Sequence, residues 1–320
     1  MRDAARTTWR KDLDESRQVG YGAAVDSALV LVFVMLALGY ALARAGVFHE
    51  TAADALNRYV LYVCLPALVL RLVPKLAWNP KLALLVVTPW SLLALAACAF
   101  SWLASRLHWP REVLGALLLC GTIGNTSFVG IPLIAAVRGQ EAIQYALLYD
   151  QFGSFLMLSI YGTLVLARFS GGSTPDAAAV AMRVLKFPPF IALVLAFVPL
   201  PHPGQLDTLL QRIADTLTPV AVFAVGLRLK LRPPRQRSAL VAGIAIKMLL
   251  CPLLALAVFR ALELRGLPAQ VAVLEAAMPT SITAGAMASL AGLAPELCAA
   301  LVGYGVLIAF VWLPLLAAAA

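Results

Sequence analysis

Ten stretches of about 20 apolar residues follow one another along this chain with only short joins between them, and that repetition leaves very few folds open. They lie near residues 27–43, 56–73, 82–104, 113–137, 142–167, 184–200, 207–229, 239–260, 268–291 and 296–316. Hydrocarbon offers no water to backbone N–H and C=O groups, so a segment that crosses it must satisfy them internally, as a helix does. The expectation is an all-α polytopic membrane protein of about ten transmembrane helices. Composition agrees: 62% of the 320 residues are hydrophobic, against about 45–50% in soluble domains.

The formal charge of +9 does not point to nucleic acid, because the Lys and Arg residues lie between the apolar runs rather than along one face. Anionic phospholipid is the expected counter-charge. Cys64, Cys98, Cys120, Cys251 and Cys298 all fall inside apolar runs and read as small buried side chains, with no disulfide framework.

The chain divides into a polar tail (1–26), a first half (27–168), a linker (169–183) and a second half (184–320). The tail alternates Arg2, Arg6, Arg10, Lys11 and Arg17 with Asp3, Asp12, Asp14 and Glu15, which suits a solvated extension or a start codon assigned upstream. Ala41-Leu42-Ala43 resembles a signal-peptide cleavage site, but the charged segment before the first run is long for that. Leu65-Pro66 in run two pairs with Thr218-Pro219 in run seven. Pro132 follows Pro66 by 66 positions and Pro279 follows Pro219 by 60, so the halves read as a repeat. Five spans per half would invert the second repeat in the bilayer. Pro89 and Pro252 fall out of register. With both termini outside, about twelve Lys and Arg residues fall on cytoplasmic joins and about seven on outer ones, which favours that orientation, although the tail's five levels the count.

Two runs are interrupted by polar residues and proline: Gly124-Asn125-Thr126-Ser127-Phe128-Val129-Gly130-Ile131-Pro132 and Glu275-Ala276-Ala277-Met278-Pro279-Thr280-Ser281-Ile282-Thr283. A proline inside a helix costs about 3 kcal/mol and frees the carbonyl four residues earlier, here Phe128 and Glu275. Membrane interiors tolerate such groups only where protein, water or ligand meets them. Asn125, Thr126, Ser127, Thr280, Ser281 and Thr283 supply amide and hydroxyl groups, and Gly130 would let backbone approach a solute closely. Half-helices beginning near Pro132 and Pro279 would aim partial positive charge at the centre, which suits a carboxylate. The alternative is that these hydroxyls only cap broken helix ends.

Ionisable side chains inside spans are functional candidates by default. Asp150 lies deep in run five beside Gln151 and near Ser154, where it would exchange a proton or remain permanently paired. Glu275 is similar, and Lys247 would pair with either carboxylate, attract an anion, or extend to the surface. Ser159, on the same run as Asp150, carries no expected role. His49, His108 and His202 are dispersed, and neither metal-ligand spacing nor a phosphate-binding loop occurs, so enzyme chemistry, a metal and a cofactor are not expected.

These motifs resemble the auxin efflux carrier family within the bile acid, arsenite and riboflavin transporter superfamily, as a bacterial-type member. The segment from Gly124 to Leu133 carries the resemblance most strongly. Gly39-Tyr40 leading to Arg44-Ala45-Gly46, Leu61 to Pro66, Pro219 to Gly226-Leu227, and Met278-Pro279-Thr280 follow in order. Thr283 departs from an expected Asn, and the long cytosolic loop of some plant members is missing. The resemblance implies a ten-helix inverted repeat in which spans four and nine unwind and cross. It also implies a scaffold of spans one, two, six and seven that dimerises, and an elevator-like motion of the rest. The expected function is a secondary carrier for a small organic anion, a mono- or dicarboxylate, in the plasma (inner) membrane, driven by a proton gradient or the membrane potential. The alternative is a receptor or regulatory subunit that binds without translocating.

Overall fold

The structure is a computed structural model and describes residues 27–49, 51–76, 79–170, 176–198 and 204–320. The tail, and His202 with its turn, lie outside these residues. The elements are α1 (Ser27–Arg44), α2 (Ala52–Lys75), α3 (Pro80–Leu107), α4 (Arg111–Cys120), α5 (Thr126–Arg138), α6 (Gln140–Phe169) and α7 (Ala177–Leu185). After them come α8 (Pro188–Ala196), α9 (Gly204–Arg228), α10 (Arg237–Ala261), α11 (Leu267–Ala276), α12 (Ile282–Leu290) and α13 (Pro295–Ala319). Among the described residues the fold is all-helical and without strands. Seven helices, α1, α2, α3, α6, α9, α10 and α13, are long and apolar enough to cross a membrane.

The remaining apolar runs take other forms. Runs 113–137 and 268–291 are each two short helices, and run 184–200 holds the nine-residue α8. Part of the segment read as a linker is helical, since α7 begins at Ala177.

Proline shapes the long helices in a way its position alone does not disclose. Pro66, Pro132 and Pro252 each stand second in a stretch of α-helix, and each follows a wide π turn: Val60–Cys64, Thr126–Gly130 and Ala245–Leu250. The residue before each proline makes the i→i−5 bond, from Leu65 to Val60, Ile131 to Thr126 and Cys251 to Ile246. Widening the turn moves aside the carbonyl that the ring would strike. Pro132 is therefore absorbed within α5 rather than breaking the run, and the break lies upstream, at residues 121–125. Helix α6 widens at Asp150–Phe155 without any proline, and Trp90 Nε1 of α3 donates to the Phe152 carbonyl there (2.9 Å). Pro89, out of register in the repeat, has its own packing partner: a β-carbon on Gly153 would stand 2.7 Å from its ring.

Helices α2 and α9 are tied near both ends by charge. Asp207 pairs with Lys75 (2.5 Å) and Arg71 (3.6 Å), and Arg228 pairs with Asp54. Helix α1 crosses α9 backbone on backbone, because Gly39 and Gly226 each face the other helix's main chain with no room for a β-carbon. Four of the five cysteines are buried, as their setting suggests; Cys98 instead lies exposed on α3.

Candidate functional site

Helix α4 stops at Cys120 and α11 at Ala276, and the two unwound segments that follow run antiparallel to each other. Asn125 N–H donates to the Pro279 carbonyl (2.7 Å) and Ser281 N–H to the Ile123 carbonyl (2.9 Å). The breaks thus satisfy each other, which is what allows extended backbone at this depth.

Each of the four helix ends at this crossing is met by a side chain. Asn125 Oδ1 accepts from Phe128 N–H (3.2 Å) at the start of α5, and Ser281 Oγ accepts from Ala284 N–H (3.4 Å) at the start of α12. Thr280 Oγ1 donates to the Cys120 carbonyl (2.8 Å) at the end of α4. Lys247 Nζ donates to the Ala276 carbonyl (3.0 Å) at the end of α11, where a cation also complements the helix dipole. For Thr280 and Lys247 the capping bond accounts for the polar group. Lys247 is buried and makes no ion pair within 4 Å among the described residues.

A cavity of about 240 Å³ opens beside the N-terminal ends of α5 and α12. Asn125, Thr126, Ser127, Asp150, Ser281 and Thr283 line it; Gly130, Pro132, Pro279, Thr280, Glu275 and Lys247 do not. Ser154 and Ser159 also line it, so Ser159 is part of the wall rather than a remote position. Two turns separate Asp150 from Leu158, and the widened helix there brings Ser154, Phe155, Leu158 and Ser159 to one cavity. The apolar wall is completed by Leu61 of α2, Met287 of α12 and Phe187, which precedes α8. Phe155 and Phe187 stack at 4.0 Å between centroids and 14° between planes. Nothing in the sequence marks Phe187 for this position, since its partner is 32 residues away in a different helix.

Asp150 is 3% exposed and accepts three hydrogen bonds: Thr126 Oγ1 and Ser127 Oγ both donate to Oδ1, and Gln151 Nε2 donates to Oδ2 (2.9 Å). Asn125 Nδ2 and Ser154 Oγ, by contrast, are buried at the cavity without a protein partner. Buried polar atoms are nearly always bonded, so these two are suited to a solute. Glu275 is wholly buried, and neither carboxyl oxygen has a hydrogen-bond partner. Gly130 stands against it, so the absent side chain makes room for Glu275 rather than for a ligand in the cavity. Among the described residues no three His, Cys, Asp or Glu side chains come together as a metal site would need.

Comparison with known proteins gives one family match and three relatives. Residues 24–175 and 178–317 match the family described as "Membrane transport protein". An uncharacterized transporter of Methanothermobacter thermautotrophicus is 30% identical over 299 residues, covering 89% of this chain and 94% of its own. A candidate malonate transporter of Rhizobium meliloti is 29% identical, covering 80% and 83%, and the uncharacterized transporter YfdV of Escherichia coli is 27% identical, covering 82% and 86%.

Proposed function

The chain belongs to the membrane transport protein family, and from that premise we propose that it is a secondary carrier for a small organic anion, held at the crossing of the two broken helices. The observation that carries this reading is the convergence of two helix N-termini on one cavity, with Asn125 Nδ2 left unbonded beside them. Helix N-termini favour negative charge, and an unpaired amide donor favours an acceptor. At about 30 Å³ per water the cavity holds the volume of ~8 waters, a fit for a short mono- or dicarboxylate. Its relative's designation as a candidate malonate transporter supports a carboxylate of that size.

In this reading the seven long helices, the two broken pairs and the region of α8 form ten spans, arranged as a five-plus-five inverted repeat. The cavity wall is divided between Leu61 and Phe187, from the α1, α2, α8 and α9 group, and residues of the crossing and α6. That division suits an elevator-like motion in which the crossing slides past a fixed, dimerising scaffold. The protein would sit in the plasma (inner) membrane with termini on the outer side. Reconstituted vesicles test the function: saturable flux of a small carboxylate is expected, and binding without flux would overturn it in favour of a receptor.

A further inference from the structure

Among the described residues that line the cavity, Asp150 is the one ionisable side chain, and no lysine, arginine or histidine joins it. The cation nearest the crossing, Lys247, directs its ammonium to the Ala276 carbonyl and lies behind Gly124, where a β-carbon would stand 3.3 Å from Nζ. An anion entering this cavity would therefore meet a carboxylate at the wall, while the nearest cation, Lys247, stands one residue back behind Gly124, itself a wall residue, with its ammonium committed to a carbonyl. It would also find the hydroxyls of Thr126 and Ser127 already committed, both donating to Asp150 Oδ1. A hydroxyl, however, both donates and accepts. With a proton on Asp150, the carboxyl O–H can donate to one of these oxygens, and the hydrogen of that hydroxyl is then free to turn toward the cavity.

We infer that a proton on Asp150 is the condition for anion binding, because it removes the carboxylate charge, reverses one of the two hydrogen bonds from Thr126 and Ser127, and so frees a hydroxyl donor to receive the anion. One proton then travels with each anion. The balance is simple: one O–H bond forms at Asp150 with a proton from water on the entry side, and the same bond breaks to water on the exit side. The other charged or titratable groups around Asp150 are Tyr149 beside it, Glu275 on α11 and Lys247 on α10. Helix α3 carries Lys81 and Arg106 near its ends, and α5 carries Arg138 at its far end. None of these lines the cavity, so the proton that answers to the anion is assigned to Asp150.

This inference rests on the carrier reading, and the experiment separates the two. Purified full-length protein is titrated with malonate and with benzoate across mildly acid to mildly alkaline buffer. Affinity is expected to fall about tenfold per pH unit above the pKa of Asp150, the slope for one linked proton. In Asp150→Asn the slope should vanish. Should that variant fail to fold, Thr126→Val/Ser127→Ala serves instead and should lose at least tenfold in affinity in acid buffer. In vesicles, malonate uptake should acidify the lumen, and in Asp150→Asn it should not. A wild-type affinity that stays constant or rises with pH, an undiminished slope in Asp150→Asn, or no binding of either probe in acid would overturn the inference. Flux without a pH slope defeats the coupling alone; pH-sloped binding without flux defeats the carrier.

Discussion

Gly130 and Glu275 occupy each other's space: a β-carbon on Gly130 would stand 2.5 Å from Glu275 Oε2 and 2.9 Å from Oε1. The contact joins the second half of one broken run to the first half of the other, so the fit of a carboxyl group against bare backbone helps hold the crossing together.

Gly130→Ala should therefore destabilise the protein, with an overpacking cost of about 1–3 kcal/mol. Thermal unfolding of the purified protein measures it. In a Glu275→Ala background the same substitution should cost much less, and equal costs in the two backgrounds would reject the contact as its cause.

Asn125 has two separable tasks, since Oδ1 caps α5 while Nδ2 is free. Asn125→Asp keeps the cap and replaces the donor with a negative charge; anion affinity should drop more than tenfold with little loss of stability. Asn125→Ala should lose affinity and also about 1 kcal/mol of stability. Ser101→Ala, at an exposed serine bonded to its own helix, serves as the control and should change neither.

Lys247→Met should lower the unfolding temperature. It deprives the Ala276 carbonyl of its partner, and leaving a buried acceptor unsatisfied costs about 1–3 kcal/mol. An unchanged unfolding temperature would show that the cap contributes nothing.

Removing the Phe155–Phe187 stack should alter selectivity. Such pairs are worth about 0.5–1.5 kcal/mol beyond area burial, and Phe187→Ala also enlarges the apolar side of the cavity. Benzoate affinity should fall several-fold more than malonate affinity in parallel binding titrations; equal losses would exclude the stack as a selectivity element.

The all-helical class and seven of the ten apolar runs, those that form long helices, were legible because the membrane makes apolar length a reliable signal. The paired breaks were legible because Asn, Thr and Ser rarely cluster in such runs without reason. The detail was harder. Hydrophobic periodicity does not distinguish an i→i−4 ladder from a single wide turn, so Pro132 looked like the break when Gly121 and Gly124 marked it better. Gly130 could be identified as a site of close approach, but not what approached it, because Glu275 lies 145 residues further along the chain. Lys247 carried the same ambiguity: its charge was evident, while its partner was a carbonyl, a group every residue bears. Phe187 and Ser159 were invisible as wall residues because cavity shape belongs to packing, not to local pattern.

Two main-chain bonds, Asn125 to Pro279 and Ser281 to Ile123, stitch the crossing together without using any side chain. Point substitutions at the surrounding hydroxyls and amides thus leave both of these links available, so the frame of the crossing does not depend on which side chains face the cavity.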